Sequence, residues 1–360
     1  MNRRRFLSTL AVLPMAGSAG GALASRMDSV DLSHAADAVW RAWKEVHLAP
    51  DGRVVDVFQQ DASHSEGQGY GMLLATEFDD AAAFERMYEW TELHLAQRSD
   101  GLLSWRWLPA SPNPVPDPNN ASDGDLFYAW ALVRAAHRWT EARYMTRAIS
   151  LAQALTQTCV IRNPARPNST LFLPAAHGFV HDNAVSINPS YYMPLAMREL
   201  AAATGQTALD VCAADGERLL EEIAAAGLVP DWIDVSADGW MPSQRLPSNT
   251  GYEALRVPLF LIWSGQQTHT AVRNIASVYE RVVHVGEAVP TVLEPGSGVV
   301  LDTSPDPGYR ALAGLVRCAV TSGIGADIPP FDAKQPYYPA TLQLFAMIAA
   351  NKVLPECVPV

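Results

Sequence analysis

The chain has 360 residues, of which 49% are hydrophobic and 18% charged, and its formal net charge is −12. This length and apolar content are sufficient for one large globular domain or two ordinary ones. The acidic balance argues against a nucleic-acid partner, because neutralising phosphates requires clustered lysine and arginine side chains.

The N-terminus has the pattern of an export signal. Arg3, Arg4 and Arg5 are followed by Phe-Leu, then by an apolar run over 8–21 and a small-x-small cleavage site ending at Ala24. Paired arginines before Phe-Leu are typical of twin-arginine signals. We therefore expect a signal peptide over 1–24, a mature chain of net charge about −15 and a periplasmic or secreted location. No stretch is apolar over the length of a membrane span, so no membrane insertion is expected.

Apolar residues recur at helical spacing through most of the remaining chain, in segments rich in alanine and leucine. These segments are 32–46, 81–97, 125–139, 142–159, 191–203, 208–225, 252–263, 271–283, 309–321 and 338–350. Residues 53–58 and 296–302 are candidates for short strands. The pattern predicts around ten to twelve paired helices in a single all-α domain over 25–360.

The segment 65–72, Ser-Glu-Gly-Gln-Gly-Tyr-Gly-Met, places Glu66 among three glycines just before an apolar run. Because glycine lowers helix stability, this density indicates a tight turn or a close approach to another group. Glu66 is then either a solvated residue at a glycine-rich helix start or a carboxylic acid whose surroundings suit it for proton donation.

A second acidic motif covers 120–125, Asn-Ala-Ser-Asp-Gly-Asp, directly before an apolar helix. Ser122 or Asp123 is expected to cap that helix, since its side-chain oxygen can accept from unpaired backbone N–H groups. Capping explains one of these acids. It does not explain two acids flanking a glycine close to a loop that contains Trp105.

A third acid, Glu253, lies in the segment Gly-Tyr-Glu-Ala-Leu-Arg at 251–256. The i to i+3 spacing places Glu253 and Arg256 on one helix face. An exposed ion pair of this kind contributes little to stability. The neighbouring Tyr252 and the apolar continuation over 257–263 favour a partly buried pair.

Cysteine and histidine patterns give no support for a metal or cofactor. The four cysteines are Cys159, Cys212, Cys318 and Cys357, without CxxC spacing. One or two disulfides, or separate buried thiols, are both consistent with this. There is no HExxH motif and no close Cys/His pair, so we expect no metal and no cofactor.

Paired carboxylates with aromatic rings are the groups that sugar hydrolysis requires. One acid protonates the leaving oxygen, another activates water, and aromatic rings stack on sugar faces. The chain has ten Trp and eleven Tyr residues, most of which belong in the core.

The motifs together resemble glycoside hydrolase family 8. The segments that carry the resemblance are 65–72, 121–125 with Trp130 and Trp139 downstream, and 252–257; 188–191, 227–232 and 337–338 support it. They occur in order from about residue 37 to 350. The most similar branch is the periplasmic endoglucanase that accompanies bacterial cellulose synthase.

This resemblance implies an (α/α)6 barrel with a substrate cleft at one end, and hydrolysis of β-1,4-glucan or cello-oligosaccharides with inversion of configuration. It implies that Glu66 is the general acid and that Asp123 holds the sugar at the cleaved bond. The implied substrate-binding residues are Trp105, Tyr191, Tyr252, Arg256, Tyr337 and Tyr338. A cellulose synthase complex is the protein partner that this branch implies.

Two positions depart from the cellulase pattern. The catalytic base is usually aspartate, and here the position is Glu253. An inverting site needs its carboxyl groups about 6.5–9.5 Å apart, so one extra methylene changes the geometry. We expect Glu253 to be the base, with Asp123 as the alternative. At Val185 relatives usually have tryptophan, so either one sugar platform is missing or another ring replaces it.

Two other functions fit the same residues. The fold could act on chitosan, xylan or mixed-linkage β-glucan, and the acidic charge is compatible with cationic chitosan. Alternatively, Glu253 and Val185 could mark a catalytically impaired protein that binds glucan without cleaving it.

Overall fold

The computed structural model describes residues 36–283, 288–321 and 325–358; the predicted signal peptide lies outside these residues. The helices are α1 (36–47), α2 (Ser65–Glu77), α3 (Ala81–His94), α4 (Ser122–Trp139), α5 (Ala142–Cys159), α6 (Pro194–Thr204), α7 (Thr207–Ala226), α8 (Arg256–Trp263), α9 (Thr270–Val282), α10 (Pro307–Thr321) and α11 (Tyr337–Val353). Across the described ranges, none of these helices combines the length and the apolar character that crossing a bilayer requires.

The described helices form two layers. Helices α2, α4, α6, α8, α10 and α11 form the inner layer, where each contacts the next. Helix α8 is buried along its whole length, as expected for an inner helix that is apolar all round. Helices α1, α3, α5, α7 and α9 lie outside and bury one face each. This arrangement confirms the predicted all-α fold, an (α/α)6 barrel.

Aromatic rings fill the centre of the barrel. Tyr70 of α2 packs edge-on against Phe345 of α11 at 4.9 Å between ring centroids, which closes the inner layer. Phe127 of α4 contacts both Tyr70 and Phe345, and Trp263 of α8 lies 5.2 Å from Phe345. Most of the tryptophan and tyrosine content therefore serves the core, as predicted from composition.

Short strands join the helices at the barrel ends. They are β1 (Ser63–His64), β2 (Arg106–Trp107), β3 (Val160–Arg162), β4 (Thr170–Phe172), β5 (Val185–Ile187), β6 (Ile233–Ser236), β7 (Gly239–Pro242), β8 (Val289–Leu293) and β9 (Val300–Ser304). The antiparallel pairs are β1–β2, β3–β4, β5–β6–β7 and β8–β9.

The two strand predictions had different outcomes. The strand expected over 53–58 is wrong, since this segment forms isolated bridges at Val54 and Asp56 and then a 3-10 turn, Val57–Gln59. The strand expected over 296–302 is partly right, because β9 begins at Val300 after a turn.

The glycine-rich start of α2 allows a close approach between helices. Gly67, Gly69 and Gly71 all lie inside α2, so the tight-turn interpretation is wrong. A Cβ atom on Gly69 would lie 2.8 Å from the backbone nitrogen of Tyr128 in α4. On the facing side, a Cβ atom on Gly124 would lie 2.7 Å from the backbone nitrogen of Glu66. Both helices thus need glycine where they cross.

We expect Gly124→Ala to lower the free energy of unfolding by about 1–3 kcal/mol, because the added methyl group overlaps the first turn of α2. The same displacement moves Glu66 and should reduce kcat. Urea unfolding and steady-state kinetics measure the two effects. Gly296→Ala is the matched control, since its new Cβ atom would come no nearer than 3.4 Å to another heavy atom. A Gly124→Ala variant as stable and as active as wild type would contradict the close crossing.

Two of the four cysteines form a disulfide and two are buried free thiols, which are the two states predicted from the sequence. Cys318 of α10 and Cys357 form a disulfide across 39 residues of sequence, and it ties the C-terminal 3-10 turn Pro355–Cys357 to the barrel. Cys159 and Cys212 are buried free thiols. Burial raises the pKa of each of these thiols to about 12, so both stay protonated and unreactive.

Candidate active site

The predicted site residues meet at one end of the barrel, where the inner helices begin. Helix α2 begins at Ser65, α4 at Ser122, α8 at Arg256 and α11 at Tyr337. A 3-10 turn, Pro189–Tyr191, stands just before α6. Helix N-termini carry partial positive charge, which favours acidic side chains at this end.

Arg256 is the centre of the site and only 2% of its surface is exposed. Its Nη1 atom donates to Glu66 Oε2, to Asp123 Oδ2 at 3.2 Å and to the Tyr70 hydroxyl at 3.1 Å. Its Nη2 atom donates to Glu253 Oε2. Three carboxyl groups far apart in sequence thus share one guanidinium, and the pair of Glu253 and Arg256 is partly buried, as predicted.

Glu253 is held by neighbours that the sequence motifs alone did not assign to the site. Asn188 Nδ2 donates to Glu253 Oε2 at 3.0 Å, and the Ser190 hydroxyl lies 3.5 Å from the same oxygen. The Ser190 hydroxyl also accepts from Arg256 Nη2 at 2.8 Å. The Glu253 side chain keeps 36% of its surface exposed, so its carboxylate faces the cleft.

The turn that carries Glu253 rests on Asp231. Asp231 Oδ1 accepts from the backbone N–H groups of Gly251 at 2.9 Å and Ala254 at 2.8 Å. A Cβ atom on Gly251 would lie 2.6 Å from Asp231 Oδ2, so glycine is needed there. Burial raises the pKa of Asp231 to about 6. Asp231 is therefore a positioning residue for the Glu253 turn.

Glu66 is the second residue of α2 and has a side chain that is 19% exposed. The residue before the helix, His64, caps it: His64 Nδ1 accepts from the Gly67 N–H at 3.0 Å. This bond places the His64 proton on Nε2, which faces Asp56 Oδ2 at 3.8 Å. The start of α2, and with it Glu66, is thus anchored to the segment that precedes β1.

Asp123 lies deeper in the site than the other two acids, with a side chain that is 4% exposed. Burial raises the pKa of Asp123 to about 8, although the nearby Arg256 guanidinium opposes the shift. The expected capping role is wrong for Ser122, whereas Asp123 Oδ1 does accept from a backbone N–H group of the first turn, that of Gly124 at 2.8 Å. Ser122 donates to the carbonyl of Leu173 at 2.6 Å, and the N-cap position is Ala121, which has no capping side chain.

We expect Asp123→Asn to raise Tm by about 2–5 °C at about pH 8.5 and to leave it unchanged at about pH 4.5. Asp123 binds a proton in the folded state between about pH 4 and 8 that it does not bind when unfolded, so wild-type stability falls as pH rises through that range. Asparagine does not titrate and removes this loss. Thermal unfolding at both pH values tests it, with the exposed Asp302→Asn as control. A Tm difference independent of pH would contradict the raised pKa.

The predicted aromatic residues surround the carboxyl cluster. The guanidinium of Arg256 lies 5.6 Å from the ring centroid of Tyr191. The Tyr338 hydroxyl donates to the Tyr252 carbonyl at 2.5 Å, and the Tyr252 side chain is 44% exposed. Tyr337 is buried and its ring packs edge-on against the ring of His64, so it supports the residue that caps α2.

Trp105 lies on another flank of the site. Its carbonyl accepts from the Ser65 N–H at 2.9 Å, which joins its loop to the start of α2. Its indole N–H donates to Asp117 at 2.9 Å, and the Arg106 guanidinium lies 4.6 Å from its ring centroid. The ring is half-buried and held in place, as a sugar platform should be.

The structure shows what stands at the position where tryptophan was expected. Val185 belongs to β5 and is buried, so it presents no ring to the cleft. Close by, Phe179 stacks on Trp232 with ring centroids 5.6 Å apart and planes within 5°. Trp232 also lies 6.3 Å from Tyr191. These half-buried rings are the candidates to replace the missing platform.

The sequence motifs did not identify several residues that belong to the site. Asn188 and Ser190 stand beside Tyr191 in a segment that supported the family resemblance, and Asp231 stands in another such segment. Tyr70 lies within the Glu66 motif itself. The signal was present in these segments, but no spacing rule links them to the carboxylates. Among the described residues, no group of three or more His, Cys, Asp or Glu side chains is arranged to hold a metal ion.

The family model "Glycosyl hydrolases family 8" matches residues 18–352. The chain belongs to glycosyl hydrolase family 8. This family 8 chain is 33% identical to a probable endoglucanase of Novacetimonas hansenii over 92% of its own length and 96% of the relative's. It is 36% identical to an endoglucanase of Cellulomonas uda, where the match spans 63% of this chain and 64% of the relative, just under two thirds.

Solved structures agree with this membership. The endo-β-1,4-glucanase CMCax from Acetobacter xylinum superposes with a TM-score of 0.79 at 30% identity, over 89% of this family 8 chain and 99% of that one. The endoglucanase Cel10 from Klebsiella pneumoniae gives a TM-score of 0.78 at 29% identity, over 87% and 99% of the two chains. The chain thus has the barrel of these family 8 enzymes.

Proposed function

We propose that this glycoside hydrolase is an endo-β-1,4-glucanase that hydrolyses β-1,4-glucan with inversion of configuration. The observation that carries the proposal is the sharing of Arg256 by Glu66, Asp123 and Glu253 at the mouth of the barrel. Two of these acids, Glu66 and Glu253, line one open cavity of about 460 Å³ together with tyrosine rings. The names of the aligned relatives support the choice of glucan as substrate.

In this proposal Glu66 donates a proton to the leaving oxygen. Three acids share one cation, so full ionisation would leave two uncompensated negative charges in a poorly solvated site. The cluster therefore retains a proton at neutral pH, in line with the raised pKa of Asp123. Glu66 and Asp123 contact the same nitrogen of Arg256, so their carboxyl groups lie side by side. Glu66 is the one of these two acids that reaches the cavity.

Glu253 is the proposed base. A base must be ionised and must reach a water molecule on the opposite face of the sugar from the acid. Glu253 reaches the cavity with a side chain that is 36% exposed, so a water molecule can approach it, and Asn188 and Arg256 stabilise its negative charge. Asp123 fits neither requirement, because it is buried and has a raised pKa. Its proposed role is to hydrogen-bond the sugar at the cleaved bond.

The substrate is tested by release of reducing sugar from carboxymethylcellulose, lichenan, xylan and chitosan. We expect the highest rate on carboxymethylcellulose, and proton NMR of the first products should show the α-anomer. A higher rate on xylan or chitosan would change the substrate and keep the fold. Binding of cello-oligosaccharide without any cleavage would show the impaired, glucan-binding alternative.

We also propose export to the periplasm and a role in cellulose biosynthesis. The N-terminal pattern of 1–24 supports export, and the resemblance to the endoglucanases that accompany cellulose synthase supports the role. Expression of the full chain in a Gram-negative host should yield a periplasmic protein that starts at Ser25. Introduced into a cellulose-producing bacterium that lacks its own family 8 enzyme, the gene should restore the cellulose yield. Co-purification with the synthase would test a physical partnership.

A further inference from the structure

Phe58 is an exposed aromatic ring at the rim of the active-site cavity. Its side chain is 72% exposed, the highest value among the large exposed apolar side chains of the described residues. It lines the cavity of about 460 Å³ that also contains Glu66 and Glu253. Covering an exposed phenylalanine ring removes apolar surface from water, and the rim of a sugar-binding cavity suits such a ring because aromatic rings stack on sugar faces.

The turn that presents Phe58 is rigidly built. Asp56 accepts from the Phe58 N–H at 3.1 Å and from Gln59 Nε2 at 2.9 Å, which closes the 3-10 turn Val57–Gln59. The next two residues, Gln60 and Asp61, adopt left-handed backbone angles with φ of 64° and 54°. Two successive non-glycine residues in this conformation are unfavourable and persist only when their surroundings hold them.

The same turn is connected to the proposed general acid. The Asp56 carboxylate faces His64 Nε2 at 3.8 Å, and His64 caps α2 at Gly67, one residue after Glu66. Arg53 donates to the carbonyl of Asp61 at 2.6 Å and fixes the far side of the turn. The backbone that carries Phe58 is thus held at a set position relative to Glu66 before any substrate binds, which lowers the entropy lost on binding.

The position of the cavity indicates which part of the sugar chain Phe58 meets. The cavity is lined by Glu66, Glu253 and Tyr252, whereas Asp123 and Trp105 are not among its lining residues. In the proposed mechanism Asp123 holds the sugar that receives the water, and the acid Glu66 and the base Glu253 place the cleaved bond at the inner part of this cavity. The rim of the cavity, where Phe58 lies, then takes the leaving part of the chain.

We infer that Phe58 is a specificity-determining residue that stacks on a glucose unit of the leaving part of the β-1,4-glucan chain, beyond the first unit after the cleaved bond. Three tyrosines of the cavity wall flank the first unit: the ring centroid of Tyr309 lies 6.1 Å from that of Tyr252 and 6.3 Å from that of Tyr338. This inference rests on the proposed function.

The test measures which bond of cellohexaose is cut, with the reducing end labelled by ¹⁸O and the products resolved by mass spectrometry. In Phe58→Ala we expect kcat/KM to fall about threefold to tenfold for bonds that place two or more units on the leaving side. Bonds that place one unit there should keep their rate, so the labelled products become shorter. Phe58→Trp and Phe58→Tyr should restore the wild-type pattern.

The matched control is Val57→Ala, since Val57 is a 52% exposed neighbour in the same turn that does not line the cavity. It should leave the product pattern unchanged. An equal loss at every bond in Phe58→Ala would indicate a merely structural role and overturn the inference, as would an unchanged pattern. Either result leaves the proposed function intact, because wild-type cleavage is measured in the same assay. A wild-type protein that does not cut cellohexaose would overturn both.

Discussion

Glu66→Gln should lower kcat on cellohexaose by about 10²- to 10⁴-fold, because the variant cannot donate a proton to the leaving oxygen. Glutamine has the same shape and can still hydrogen-bond to Arg256 Nη1, so KM should change little. Steady-state kinetics with reducing-sugar detection measures both parameters. Wild type and variant releasing sugar at equal rates would remove Glu66 from the role of acid.

A second substrate separates the acid from other roles at position 66. An aryl cello-oligosaccharide with a leaving group of low pKa, such as 2,4-dinitrophenolate, departs without protonation. Glu66→Gln should therefore keep most of the wild-type rate on it. A loss of the same size on both substrates would point to a damaged site. Gln97→Glu, at an exposed position remote from the cavity, controls for the effect of exchanging Glu and Gln.

Glu253→Gln should lower kcat by about 10²- to 10⁴-fold, because the amide cannot accept a proton from the attacking water. Glu253→Asp should remain far more active than the glutamine variant, since a carboxylate one methylene shorter still activates water. Both variants should fold, because the 36% exposed side chain contributes little to the core. Circular dichroism and kinetics on cellohexaose check the two statements.

The comparison with the glutamine variant identifies the base. Full activity in Glu253→Gln would move the role to Asp123. In Glu253→Ala, added azide should restore turnover and yield an α-glycosyl azide, because a small anion can occupy the place of the lost water and its base. The same addition to Glu66→Gln should form no azide product, which shows that the rescue is specific to the face that Glu253 occupies.

Much of the fold followed from local patterns. Helices α3, α5, α7 and α9 bury one face, and their boundaries lie within a few residues of the predicted segments. Periodicity of this kind is set by burial against one neighbour, so it is readable in one dimension. The strand predicted over 53–58 was wrong because Val54 and Asp56 make only isolated bridges, and Val57 and Phe58 belong to a turn at the cavity rim.

In the candidate site too, some features follow from the sequence and others only from the tertiary structure. The sequence by itself determined the residue types: acids beside glycines, a paired arginine, and rings for stacking, which together with the order of the motifs indicated family 8. Only the tertiary structure brought Glu66, Asp123 and Glu253 onto one guanidinium, buried Asp123 deeply enough to raise its pKa, and set Asp231 under the Glu253 turn. The physical reason is that these contacts join residues on different inner helices, and burial and electrostatics depend on distances through space that no local pattern records.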